Sequence, residues 1–144
     1  MNRNSIMILM FSLIMLSAEC EKSVMKSEEV VWLKNSSTLR IYGSVGMGAQ
    51  NGGLDIFPDT TLSETEPFLR EVEIGTSEIL ITTYTVSSFY NEVLNGSRMS
   101  VYIFNADSVD LVGWEEIRNR NMVLKRYDLR EEDLKAQNYT ITYP

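Results

Sequence analysis

The sequence predicts a mainly β protein: an antiparallel, two-layer (Ig-like) β-sandwich with two or three short helices, preceded by a signal peptide. Three observations predict this class. About seven short runs are rich in β-branched and aromatic side chains. The connections between them are too short for most parallel crossovers. The chain has 144 residues, 44% of them hydrophobic, which is enough for one domain with a sizeable core.

The first twenty residues are typical of a signal peptide. Arg3 supplies a positive charge, and residues 6–16 form an uncharged, largely apolar run of eleven residues. A membrane-spanning helix needs about 20 such residues, so this run is too short to span a bilayer. We therefore predict that residues 1–19 are a signal peptide of the lipoprotein type, with cleavage after Ala18 by an ordinary signal peptidase as the alternative.

Cys20 follows this run closely, in a position that resembles the lipobox of bacterial lipoproteins. In that pattern the cysteine is acylated and becomes the first residue of the mature chain, so we predict lipidation at Cys20. Each buried CH₂ group adds about 0.8 kcal/mol, so several acyl chains would hold the protein on a membrane. Residues 20–29 are polar and mixed in charge, which predicts a tether to a single β-rich domain over residues 30–144.

The domain opens with two strand-like runs, residues 30–34 and 38–42. Only Asn35, Ser36 and Ser37 separate them, which predicts a hairpin. Residues 43–53 contain five glycines, but their order differs from a dinucleotide fingerprint and no Gly-Lys-Ser/Thr follows. We expect a flexible loop there.

Three further segments precede the last third of the chain. Residues 68–74 alternate, with Arg70, Val72 and Ile74 on one face, and residues 79–86 are the strongest β-run. Residues 87–94 fit a short helix with Gly96 as its C-cap, but Asn95-Gly96 also fits a hairpin turn. We favour the helix.

The last third of the chain reads as strand, helix, strand, helix, strand. Residues 100–104 predict a central strand that ends in a turn at 105–108, and Trp114 with Ile117 marks an amphipathic helix. Residues 122–127 return to strand composition, and Asp128 with Glu131 predicts a capping box for a second helix. Residues 138–144 alternate strictly and end in a proline, which fits a strand that stops there or lies at an edge.

Several of these segments are similar to the C-terminal signature of small lipoproteins from Bacteroides-type bacteria, a family without an established activity. They are Val101-Tyr102-Ile103-Phe104-Asn105-Ala106-Asp107, Trp114-Glu115-Glu116-Ile117-Arg118, Leu124-Lys125-Arg126-Tyr127-Asp128-Leu129, Glu132-Asp133-Leu134 and Thr140-Ile141-Thr142-Tyr143-Pro144. The residues Phe57-Pro58-Asp59-Thr60-Thr61-Leu62 also resemble a segment of that family. The resemblance implies a location in the cell envelope and no particular chemistry.

The composition excludes several kinds of site. The chain has no histidine, which excludes Ser-His-Asp and Cys-His catalysis and imidazole zinc sites. Its only cysteine is the expected lipidation site, so no intramolecular disulfide can form. The net charge is −7 without a basic cluster, which argues against a nucleic-acid partner. We predict no catalytic residue, no metal site and no cofactor.

Two groups of polar residues are candidate sites. Asn105, Asp107 and Asp110 crowd one turn but lack the glycine and distal Glu of an EF-hand loop, so we predict turn and helix-cap roles. Thr60 and Ser108 lie in Asp-Ser/Thr sequences that resemble the O-glycosylation sites of exported proteins in such bacteria. Ordinary turn hydroxyls are the favoured interpretation of both.

These observations predict a non-enzymatic lipoprotein of the cell envelope. It would be lipid-anchored at the outer membrane, on the periplasmic side or at the surface, with a protein or glycan partner. A glycan-binding accessory module is the alternative and predicts exposed aromatic residues. A carboxylate-based hydrolase is a third hypothesis and predicts two acids about 5–10 Å apart across a cleft.

Overall fold

The computed structural model describes residues 30–48, 51, 53–59 and 61–144. The predicted signal peptide and tether, residues 1–19 and 20–29, lie outside these residues. Within the described ranges, none of the helices has the length and apolar character needed to cross a membrane.

Seven strands and four short α-helices make up the described domain. The strands are β1 (Val31–Asn35), β2 (Ile41–Val45), β3 (Arg70–Val72), β4 (Ser77–Ile81), β5 (Met99–Asn105), β6 (Lys125–Leu129) and β7 (Thr140–Tyr143). The helices are α1 (Val86–Ser88), which continues into a π-helix (Phe89–Val93), α2 (Ala106–Val112), α3 (Trp114–Asn119) and α4 (Glu131–Ala136). The predicted mainly β class with short helices is confirmed.

The strands form two sheets. One has three strands in the order β4-β1-β7, and the other has four in the order β3-β2-β5-β6. All pairs are antiparallel except β1 with β7, which is parallel. The antiparallel arrangement predicted for the strands is therefore confirmed for every pair except this one. A parallel pair needs a long connection, and here almost the whole domain provides it.

The predicted hairpin between the first two strands is also wrong, because β1 and β2 belong to different sheets. The connection crosses from one sheet to the other at Asn35, which is fully buried. Its Nδ2 donates to the carbonyl oxygens of Leu39 (2.7 Å) and Val72 (3.1 Å), and its Oδ1 accepts from the backbone N–H of Ser37 (3.0 Å). The Asn35 amide thus satisfies backbone groups of this connection and of β3.

The two sheets pack face to face over the main core. Its buried side chains include Val31, Leu33 and Ile141 from one sheet and Ile41, Val45, Val72, Val101 and Ile103 from the other. Gly43 lies within β2 rather than in the predicted loop. A Cβ at this position would come within 2.4 Å of Leu33 Cδ2 and 3.0 Å of Leu80 Cδ2. Glycine therefore allows the sheets to approach closely at this point.

A second core covers the outer face of the four-stranded sheet. It consists of Leu54, Leu62, Tyr102, Phe104, Val109, Trp114 and Ile117. The Trp114 ring meets the Phe104 ring edge-on, with centroids 5.5 Å apart. Residues Met99 to Phe104 of β5 are consequently buried on both faces, as predicted for a central strand. Helices α2 and α3 lie on this face, since Val109, Trp114 and Ile117 belong to the second core.

The helices agree with the sequence in part. The short helix expected over residues 87–94 is confirmed, and Gly96 follows it with a φ of 75° and its N–H bonded to Tyr90 O (2.8 Å). Helix α2 replaces the predicted turn at 105–108. Asn105 caps it, since its Oδ1 accepts from the Ser108 N–H at 2.9 Å.

The C-terminal elements occur in the predicted order with shifted ends. Strand β6 continues to Leu129, so Asp128 is a strand residue and the predicted Asp128–Glu131 capping box is wrong. Instead, the Arg130 N–H donates to the Asp133 carboxylate at 2.9 Å. Ile74 lies beyond the end of β3 and is exposed, whereas Val72 is buried. Strand β7 lies at the edge of its sheet, as predicted, with Ile141 facing the core.

Candidate functional site

The predicted modification sites have different positions relative to the described domain. Cys20 and Thr60 lie outside the described residues. Ser108 is half-buried in the first turn of α2. Lipidation and glycosylation therefore stay predictions.

Asp107 and Asp110 form ion pairs with the guanidinium of Arg40. Arg40 Nη2 lies 2.9 Å from Asp107 Oδ1, and Arg40 also contacts Asp110 and Glu71. The Tyr42 hydroxyl donates to Asp110 at 2.9 Å. Hydrogen bonds from Arg40 and then Tyr42 lower the pKa of Asp110, and the bonds to the carboxylates raise the pKa of Arg40. This cluster joins α2 to β2 and β3.

A second polar cluster lies on the outer face of the four-stranded sheet. The buried Ser100 Oγ donates to Asp128 Oδ1 at 2.7 Å, and the hydroxyl accepts from Arg126 Nη2 at 3.1 Å. Arg126 Nε also binds Asp128 at 2.7 Å, and Nη1 binds Asp59 O at 2.9 Å. The Ser100 hydroxyl is engaged on both sides, so this arrangement fixes the segment around Asp59 against the sheet. No group of three or more Cys, Asp or Glu residues suited to hold a metal ion occurs in the described ranges.

A cleft with a volume of about 430 Å³ lies where β3 and β4, the edge strands of the two sheets, come side by side. We call it the edge cleft. It is lined by Met47, Asn51, Phe68, Arg70, Leu80, Ile81, Thr82, Thr83 and Tyr84. Apolar side chains form most of this wall, and the described residues that line it include no carboxylate.

Arg70 is the only charged residue among those described in the edge cleft wall. Its Cζ lies 5.0 Å from the centroid of the Phe68 ring, and Phe68 is 58% exposed. The Nε atom is buried and finds no hydrogen-bond partner in the described part of the chain. The cleft therefore combines apolar walls with a guanidinium that no described carboxylate neutralises.

A second cleft has a similar volume, about 460 Å³, but a different charge. We call it the polar cleft; it is lined by Phe57, Tyr90, Asn91, Gly96, Ser97, Arg98, Arg130, Glu131 and Glu132. Arg98 Cζ lies 5.5 Å from the Phe57 centroid, a geometry like that of Arg70 and Phe68. Here two arginines and two glutamates balance in charge.

Both carboxylates of the polar cleft already have partners within the domain. Glu131 accepts hydrogen bonds from Lys135 (2.8 Å) and Ser87 (2.9 Å), which lower the pKa of Glu131, and Glu132 lies 3.5 Å from Arg130. Glu131 and Glu132 are neighbours on α4, so their side chains point about 100° apart. They do not form a pair of carboxylates that face each other across a cleft.

The aromatic residues divide between core and surface. Trp114 and Tyr102 are buried, and Trp114 Nε1 donates to Ser63 O at 3.0 Å. Phe68 is exposed, and Trp32 and Tyr84 are half-buried.

No protein family, curated protein or solved structure matches the chain.

Sequence reasoning missed the pairing of Phe68 with Arg70. The two residues lie two positions apart, and in an extended chain this spacing places them on the same face. That spacing is the only signal of the pair in the sequence.

Proposed function

We propose that this chain is a non-enzymatic lipoprotein of the cell envelope whose β domain binds a small ligand in the edge cleft. Attachment to the membrane would be through acyl chains on Cys20, at the outer membrane, on its periplasmic side or at the surface. The observation that carries the binding role is the Arg70 guanidinium, which lies in an apolar cleft and pairs with no carboxylate of the described residues. Small-molecule sites commonly combine apolar walls with a few placed polar groups.

The polar groups of the domain support a binding role more than a hydrolytic one. The buried Ser100 hydroxyl is held by Asp128 and Arg126. The polar cleft acids are adjacent on one helix and paired with basic residues, whereas glycoside hydrolysis needs two carboxyl groups facing each other about 5–10 Å apart.

A glycan-binding accessory module is a second candidate, favoured by the exposed Phe68 ring. A sugar would stack on this ring and would not depend on the charge of Arg70. Phe68→Ala would then abolish binding of neutral oligosaccharides, and Arg70→Gln would leave it unchanged. This outcome would retain the binding role but change the ligand.

The membrane location is tested by intact-mass analysis of the membrane fraction after expression with the native leader. We expect a lipid-bearing mass that begins at Cys20 and disappears in Cys20→Ala. A mature chain that begins at Glu19 without lipid would contradict the lipoprotein assignment, while leaving the binding role of the domain to be tested separately.

The binding role is tested by methyl NMR spectra of the full lipidated chain in detergent micelles. Mixtures of neutral sugars, small amines and small carboxylates are added in turn. We expect at least one class to shift the methyl signals of Met47, Leu80 and Ile81, which line the edge cleft. If no class shifts them at millimolar concentration, the binding role is wrong.

A further inference from the structure

We infer that the ligand of the edge cleft is a compact apolar carboxylate, bound through the terminal nitrogens of Arg70. This inference rests on the proposed binding function and adds to it the charge and chemical class of the ligand.

The charge of the ligand follows from the distribution of ion pairs. The chain has 20 acidic and 13 basic residues, so carboxylates outnumber the cations. Four arginines are paired with carboxylates in the described domain: Arg40, Arg120, Arg126 and Arg130. Arg70 forms no ion pair with any described residue, and no described carboxylate lines its cleft. An anion would supply the missing partner, whereas a cation would be repelled.

The available donors of Arg70 limit how the anion binds. Nε is buried and cannot be reached from solvent without movement of its neighbours. The two terminal nitrogens, in contrast, are not among the buried atoms that lack a hydrogen-bond partner. The ring of Phe68 packs on the guanidinium and restricts its position. The terminal nitrogens can therefore donate together to the two oxygens of one carboxylate, the end-on form of the bidentate pair.

The cleft favours a carboxylate over a phosphate. Phosphate sites usually combine several donors, such as backbone N–H groups at a helix N-terminus and more than one basic side chain. The edge cleft offers one guanidinium, the amide of Asn51 and the hydroxyls of Thr82 and Thr83. A single positive charge matches the single negative charge of a carboxylate.

The remaining walls define the body of the ligand. Leu80 and Ile81 present aliphatic surface, Met47 adds a flexible thioether and Tyr84 adds an aromatic ring. The volume of about 430 Å³ lies in the lower part of the usual range for ligand sites, roughly 300–1,000 Å³. A single ring or a short aliphatic chain next to the carboxylate fits these walls.

The polar cleft provides a matched control within the same chain. Arg98 packs on Phe57 much as Arg70 packs on Phe68. Glu131 and Glu132 line that cleft, so an anion there meets negative charge. Arg98→Gln therefore removes the same charge from the protein without removing the proposed carboxylate site.

The test is a titration of the full chain with three probes of one shape: phenylacetate, phenylacetamide and phenethylamine. Methyl NMR of Leu80 and Ile81 reports occupancy of the edge cleft. We expect phenylacetate to bind about tenfold or more tightly than phenylacetamide, as for loss of a charge-assisted pair. Phenethylamine should bind more weakly than both.

The variants locate this preference. Arg70→Gln should reduce the affinity for phenylacetate about tenfold and leave that for phenylacetamide within about twofold. Arg70→Lys keeps the positive charge but loses the two parallel donors of the guanidinium. Its affinity for phenylacetate should therefore lie between those of wild type and Arg70→Gln. With two variants at this position, a folding defect in one of them does not decide the result. Arg98→Gln should match wild type for all three probes, and thermal melts check that each variant is folded.

The outcomes separate the inference from the function on which it rests. If phenylacetamide or neutral sugars shift the cleft methyls as strongly as phenylacetate, the carboxylate assignment is wrong and the binding module stands. Equal effects of Arg70→Gln and Arg98→Gln would also overturn the assignment. If no probe and no neutral sugar shifts these methyls, both proposals fail.

Discussion

Ser44 and Gly46 lie two residues apart at the end of β2. The Ser44 side chain has a polar group without a partner among the described residues, whereas Gly46 has no room for a side chain. The Ser44 hydroxyl is buried without a hydrogen-bond partner among the described residues. A Cβ on Gly46 would come within 2.7 Å of the backbone oxygen of Asp55 and 3.3 Å of Ser100 Cβ. A backbone atom cannot move aside as the end of a flexible side chain can.

We therefore expect Ser44→Ala to be neutral or to raise the free energy of unfolding by up to about 1 kcal/mol, because it removes an unsatisfied buried hydroxyl. Gly46→Ala should lower the free energy of unfolding by about 1–3 kcal/mol, because the added methyl overpacks the site. Urea unfolding followed by tryptophan fluorescence measures both. The interpretation of this strand end is wrong if Ser44→Ala is the more destabilising change.

At the candidate site, the sequence indicates the residues but not their environment. The alternation over residues 68–74 places Arg70 and Val72 on one face, and Val72 is indeed buried. Whether Arg70 has a carboxylate partner depends on the position of every acid in the fold. Arg40 has three such partners, from β3 and α2, and nothing in its local sequence distinguishes it from Arg70.

Among the elements, those with clear periodicity were predictable. The apolar run of β5 and the alternation of β7 identified a central strand and an edge strand. The hairpin prediction failed because three polar residues can close a hairpin or cross between sheets, and only the buried contacts of Asn35 decide. Helix α2 was missed because Asn105 is as suitable for a turn as for an N-cap.

The Arg40 cluster joins three elements and should make stability depend on pH. Hydrogen bonds lower the pKa of Asp110 in the folded protein, whereas the pKa of an unfolded Asp is about 3.9. A lowered carboxyl pKa gives a stabilisation that is complete above the unfolded pKa and is lost as the pH falls through the folded pKa. The loss therefore belongs to the acid range below about pH 5.

We expect Arg40→Gln to lower the melting temperature at neutral pH by roughly 2–6 °C, and to flatten its decline between about pH 5 and 2. Arg120→Gln is the control, because Arg120 is 62% exposed and makes a single pair with Glu116 at 3.5 Å. Thermal melts followed by circular dichroism across this pH range compare the two variants. If the melting temperatures of wild type and Arg40→Gln decline in parallel as the pH falls, stability is not coupled to the titration of this cluster.

In the whole molecule, the pairing of β1 with β7 joins the two ends of the described domain. Trp32 N–H donates to Tyr139 O and Ser36 N–H donates to Tyr143 O, each at 2.8 Å. Strand β1 is the middle strand of its sheet, and its buried Leu33 faces Gly43 of the opposite sheet. The three-stranded sheet is therefore complete only when the last residues of the domain have joined it. Sequence patterns are local, so they did not reveal this long-range parallel pair.

Removal of β7 should consequently affect the entire fold and not only one edge. We expect a chain that stops after Tyr139 to lose cooperative unfolding. The loss of buried Ile141 alone is worth about 2–5 kcal/mol, and each lost ladder hydrogen bond about 1 kcal/mol. Their sum approaches the total stability of a typical domain, roughly 5–15 kcal/mol. Removal of the exposed Pro144 alone is the control and should leave the melt unchanged. A cooperative melt near the wild-type temperature in the chain ending at Tyr139 would show that β7 is dispensable.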